Sequence, residues 1–79
     1  MRRGVLTVWF DRGYGFVTAE DRETFFLHVN NLENPSIAPM KGDVIEFEAG
    51  DPYKPGKLPQ AMKAKIVPPV LTVTKAVQR

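Results

Sequence analysis

Apolar and polar residues along this chain alternate over short runs and never hold the i, i+3, i+4 spacing of a long amphipathic helix, which predicts an all-β fold. The first run, residues 4–10, contains Val5, Leu6, Thr7, Val8 and Trp9, all good strand formers, and breaks at Asp11-Arg12-Gly13. Asp caps its own turn and Gly13 takes positive φ without a Cβ clash, so a hairpin follows. Residues 14–19 form the second strand, Glu20-Asp21-Arg22 the next turn and residues 23–29 the third strand, giving a three-strand meander with short connections. Between Asn30 and Gly42, three asparagines, Pro35 and Pro39 discourage regular pairing. This stretch predicts a long loop with one helical turn near Asn31, and with Leu32, Ile37 and Met40 tucked beneath the sheet. Residues 43–49 alternate cleanly, with Ile45 and Phe47 toward the core and Glu46 and Glu48 in solvent. Residues 50–59 hold three prolines and two glycines and read as a loop; residues 60–67 form the fifth strand, and Pro68-Pro69 close the domain. The domain thus covers residues 1–68, and residues 69–79 are either a tail or one more edge strand.

At 79 residues the chain supports one small core and no second domain. It has no cysteine, which removes disulfides, thiolate metal sites and thiol nucleophiles and fits a reducing cytoplasm. No apolar stretch approaches the roughly 18 residues of a membrane span, and Met1-Arg2-Arg3 leads into a β-like segment and not a signal-peptide core, so a soluble, unprocessed protein without a membrane partner is expected. A net charge of +2 attracts polyanions only weakly. The early bases Arg2, Arg3 and Arg12 and the late bases Lys54, Lys57, Lys63 and Lys65 form one basic face if the two ends of the chain meet in space; a mixed solvated surface accounts for them equally well.

The chemistry is concentrated in Trp9, Phe10, Tyr14, Phe16, Phe25, Phe26 and His28, which place most of the aromatic residues on the first three strands. Alternation puts Tyr14 and Phe16 on one face of the second strand, and Phe26 and His28 on one face of the third. Across neighbouring strands these four form a cluster, with Trp9 close by on the first strand. Such a cluster is often a core. Here the opposite face already supplies Val17, Phe25 and Leu27, which with Ile45, Phe47, Ile66 and part of the first strand fill a small barrel, and a histidine suits a wet surface better than a core. An exposed aromatic platform stacks nucleobases with little sequence demand, while Arg12 and Lys57 at its margins are placed to meet phosphates.

The run Trp9-Phe10, then Arg12-Gly13-Tyr14-Gly15-Phe16-Val17, Phe25-Phe26-Leu27-His28, residues 41–48, and Lys57-Leu58-Pro59-Gln60-Ala61 resembles the cold-shock domain in order and spacing over about residues 4–67. Two of these segments are similar to the family's two ribonucleoprotein motifs. The resemblance implies a five-stranded antiparallel OB-type Greek-key barrel with a short C-terminal extension. It also implies binding of single-stranded RNA or DNA, with an RNA-chaperone or cold-shock-type regulatory role. The implied contact residues are Trp9, Phe10, Arg12, Tyr14, Phe16, Phe26, His28, Lys57, Pro59 and Gln60, with Phe10 at the platform edge. No cofactor is implied, and the expected state is a monomer, with a weak dimer through the C-terminal extension as the second state.

Val29 replaces an aromatic residue usual in the family, the loop of residues 30–42 has no aromatic, Val8 replaces a lysine, and the first turn is about two residues short, so lower affinity is expected. Tyr53 and Lys54, in a loop longer than usual, compensate in part if that loop folds over the platform; the plainer expectation is a solvated loop tyrosine.

Catalysis is not expected from one histidine, one serine and no cysteine, since no nucleophile and base recur at useful spacing. The carboxylate pairs Glu20/Asp21 and Glu46/Glu48 are explained by solvated turn and strand positions without a metal. The competing function is an OB-type module that binds another protein through the aromatic face or the C-terminal edge.

Overall fold

The computed structural model describes residues 1–67, so the expected extension at residues 69–79, and Pro68 before it, lie outside the described residues. Five strands, β1 (Arg2–Phe10), β2 (Tyr14–Ala19), β3 (Thr24–His28), β4 (Val44–Gly50) and β5 (Gln60–Val67), close into a barrel in the order β1-β2-β3-β5-β4. The meander of β1, β2 and β3 forms as its turn residues dictate. In the first turn the Gly13 N–H donates to the Phe10 carbonyl at 2.9 Å with Gly13 at φ 92°. In the second, the Arg22 N–H donates to the Ala19 carbonyl at 2.9 Å with Arg22 at φ 71°. Both are three-residue loops ending in a left-handed residue, a common hairpin geometry.

The expected antiparallel barrel is corrected at one seam. β3 and β5 run parallel, paired at Phe26 and Gln60, whereas the other four seams are antiparallel. Parity requires this: strand direction cannot alternate around a closed ring of five, so at least one join is parallel. The seam is reinforced where the Phe26 N–H donates to the Pro59 carbonyl at 2.8 Å.

Leu6, Val17, Phe25, Leu27, Ile45 and Phe47 are fully enclosed, and Phe25 and Phe47 meet with ring centroids 4.8 Å apart. Full burial of side chains this size stabilises by about 1.5–3 kcal/mol each, before the entropy cost of ordering them. Ile66, expected in the core, is only half-buried and packs against it; β5 contributes Ala61 and Ala64 instead. A register shift opposite Glu46 and Glu48, where Lys63 takes φ 49°, sets the inward residues Ala61 and Ala64 three apart; Ile66 pairs with the buried Ile45 on the same side and packs on the core from near the end of the strand. Glu46 is likewise less solvated than expected, lying between Arg3 and Lys65 at 3.2 and 3.4 Å.

After β3 a 3-10 turn, Val29–Asn31, occupies the position expected for a helical turn. Leu32 then seals one end of the barrel, bridging to Ala64 and buried as expected. Ile37 and Met40 are not tucked in: they are 55% and 70% exposed, because the chain turns back through Pro39, which is buried, and the Gly42 N–H docks on the Leu6 carbonyl at 2.8 Å.

Candidate nucleic-acid interface

The outward face of β2 and β3 carries Tyr14, Phe16, Phe26 and His28, all half-buried. Register pairs Phe16 with Phe26 and Tyr14 with His28, so alternation on two adjacent strands brings all four side chains together. Phe26 is the hub. Its ring centroid lies 5.8 Å from Tyr14, 6.0 Å from Phe16, 6.3 Å from His28 and 6.0 Å from Tyr53 of the β4–β5 loop. The rings meet tilted or edge to face, the arrangement their quadrupoles favour, so faces remain open to solvent.

β1 adds a ring in an unexpected way. Its register against β2 shifts between Leu6 and Val8, and Thr7, the residue at the bulge, donates its hydroxyl to the Phe16 carbonyl at 3.1 Å. A one-residue bulge reverses which side of the strand faces the barrel. Leu6 points into the core, Val8 pairs with Phe16, and Phe10 pairs with Tyr14 on the outer face. Phe10, 40% exposed, therefore joins the cluster with its centroid 4.9 Å from Tyr14 and 6.4 Å from Phe16. Trp9 pairs with Gly15 and packs against the core, outside this ring network. Gly15 lets β1 and the indole approach: a Cβ there would run into the Val8 carbonyl oxygen first and would also sit 2.9 Å from Trp9 Cε3.

His28 is held in one tautomer. Its Nδ1 accepts the Asn30 N–H at 3.1 Å, leaving Nε2 as the donor of the neutral ring. Gln60 is also held, its amide donating to the Asp51 carbonyl at 3.0 Å and accepting from Asn31 at 3.4 Å. Asn30, Asn31 and Leu58 line the clefts beside Phe26 and were not among the residues singled out from sequence; the amides directly following His28 were the available signal. Pro59 contributes its carbonyl, which fixes the Phe26 backbone.

The single basic face is not what the structure builds. Arg2 pairs with Asp21 at 2.6 Å and Glu23 at 3.2 Å and lies over the Phe25 ring, and Arg3 and Lys65 share Glu46. Among the described residues no ion pair engages Arg12, Lys54 or Lys57. Arg12 lies in the turn between Phe10 and Tyr14, and Lys57 lines a cleft with Phe16 and Phe26. The cations beside the rings have no carboxylate partner, as is also true of Arg22, Lys41 and Lys63 elsewhere on the described surface. Among the described residues there is no cluster of three or more His, Asp or Glu side chains suited to a metal, and no helix long and apolar enough to cross a membrane.

A five-stranded closed barrel with an aromatic outer face on its first three strands defines the OB-type class. The chain is 37% identical over 62 residues to a cold shock-like protein of Thermotoga maritima, covering 75% of this chain and 89% of that relative. It belongs to the cold-shock protein family. The fold also matches drosophila Unr CSD456 with a TM-score of 0.66 and 23% sequence identity, over 86% of this chain and 27% of that one. No family model matches the chain.

Proposed function

We propose that this protein binds single-stranded RNA or DNA by stacking bases on Phe10, Tyr14, Phe16, Phe26 and His28, with Arg12 and Lys57 meeting phosphates and Gln60 bordering the same face. The observation that carries this reading is the continuous chain of rings from Phe10 through Tyr14 and Phe26, on a face where the neighbouring cations have no carboxylate partners. Each stacked base contributes about 1–3 kcal/mol, and every base has a π-face, so affinity accumulates without sequence demand. Trp9 supports the platform from beneath, beside Gly15, and Pro59 anchors its hub. A surface that holds unstacked bases favours open strands over weak hairpins by mass action, which is the physical basis of an RNA-chaperone role. The reading is of binding and not of catalysis: the His28 Nδ1 is occupied by a backbone amide, and the Ser36 hydroxyl donates to Asn34 at 2.7 Å. The protein acts as a cytoplasmic monomer on this reading.

Fluorescence anisotropy with labelled oligo-dT and oligo-U, against a duplex of equal length and over a salt series, tests it. Single strands are expected to bind better than duplex, with log affinity falling linearly in log salt and a slope lowered by about one on replacing Lys57 with Ala. Salt-insensitive binding, preference for duplex, or no binding at tens of micromolar, about the weakest useful range, rejects it in favour of a protein-binding face.

A further inference from the structure

We infer that Tyr53 is a base-stacking residue that divides the platform into two adjacent base positions, an inference that rests on the single-strand-binding reading above. Tyr53 comes from the β4–β5 loop and not from the sheet, so its placement depends on what holds that loop. Three hydrogen bonds do. The Gln60 side chain donates to the Asp51 carbonyl at 3.0 Å where the loop begins, and the Pro59 carbonyl accepts the Phe26 N–H at 2.8 Å where it ends. Between them the Lys57 N–H donates to the Lys54 carbonyl at 3.2 Å, with Pro55 and Gly56 at the central positions and Gly56 at φ 83°. That is the residue pattern of a type II turn, with proline first and a positive-φ glycine second.

The result is an aromatic side chain that is 56% exposed yet sits with its ring 6.0 Å from Phe26 at an interplanar angle of 38°. A ring held there by its loop and left uncovered is pre-organised for a ligand, because little ordering remains to be done on binding. Phe26 and Tyr53 together separate two clefts. One, of about 200 Å³, is lined also by Phe16, Leu58 and Lys57, a mostly apolar slot with one lysine in its wall. The other, of about 450 Å³, is lined also by His28, Asn30, Asn31 and Gln60, where amides can meet the edge of a base. The Lys54 ammonium lies 5.8 Å from the Tyr53 ring centroid and brings positive charge to the same wall. Tyr53 thus borders both positions.

The test measures the affinity of wild type, Tyr53→Ala, Tyr53→Phe and Phe26→Ala for oligo-dT of increasing length, with circular dichroism and thermal melts on each variant. Tyr53→Ala is expected to bind the longer oligomers about tenfold more weakly, the scale of one lost stack, and to stop gaining affinity one nucleotide sooner than wild type. Tyr53→Phe, which keeps the ring, is expected to bind as wild type does. If Tyr53→Ala matches wild type at every length while Phe26→Ala weakens, the Tyr53 assignment is overturned and the platform stands. An equal loss at all lengths with a lowered melting temperature marks Tyr53 as a structural loop residue and also overturns it. Failure of wild type to bind any oligomer removes both readings.

Discussion

The two faces of β2 and β3 share one backbone and differ in what their side chains do. Inward, Val17, Phe25 and Leu27 are enclosed among aliphatic and aromatic neighbours. Outward, Tyr14, Phe16, Phe26 and His28 are half-buried and touch mainly one another and two loops. Period-two alternation thus assigns fold and site to different residues on the same strands. Stability and binding become separable by substitution, which is not so where a site is cut into a core.

The largest effect that breaks the comparison is expected from the inner face. Leu27→Ala removes a fully buried side chain and should cost about 2–5 kcal/mol. That is a large share of the roughly 5–15 kcal/mol of a small domain, and urea denaturation would read it as a much lower midpoint. Its outer neighbour gives the contrast: Phe26→Ala should cost about 1–3 kcal/mol of oligonucleotide affinity, with a smaller loss of stability than Leu27→Ala. Equal destabilisation by the two would mean the outer face is part of the core.

A smaller effect separates the two hairpin turns. Gly13 and Arg22 both occupy the left-handed position, but only Arg22 has a Cβ to strain it. Arg22→Gly is expected to stabilise by up to about 1 kcal/mol, seen as a higher denaturation midpoint.

The smallest effect concerns the exposed ion pairs away from the rings. The Asp21 carboxyl is held below its ordinary range by the Glu23 backbone N–H and by Arg2, and the Glu46 carboxyl by Arg3 and then Lys65. Their folded values lie below the unfolded ones. This contribution is therefore complete above the ordinary carboxylate range and is lost as pH falls through the folded values, below about pH 4. Arg2→Gln should lower neutral-pH stability slightly and flatten the acid limb by the same small amount, so that its thermal melts converge with those of wild type at low pH.

Alternation and turn chemistry made β2, β3 and β4 legible in the sequence, along with the inward placement of Val17, Phe25, Leu27, Ile45 and Phe47 and the clustering of Tyr14, Phe16, Phe26 and His28. The bulges at Thr7 and Lys63 were not legible. A bulge is fixed by how strands meet around a closed ring, and neither Thr nor Lys marks one locally. Each reversed the phase of what followed, which is why Phe10 rather than Trp9 lies among the rings and why the enclosed residues of β5, Ala61 and Ala64, are three apart and not two. Likewise Arg2, Arg3 and Lys65 read as available cations until the fold placed carboxylates beside them.

The parallel join at Phe26 and Gln60 is the shortest zipper in the barrel, one register pair against several at every other seam. The hub of the aromatic face sits on that zipper, with Tyr53 and Gln60 on its far side. On the proposed binding mode, an oligonucleotide lying across both sides acts as a clasp: it binds only the closed form and so holds the barrel shut. The Phe26 amide, whose hydrogen bond to Pro59 spans the join, is the proton whose exchange with solvent slows as the clasp engages.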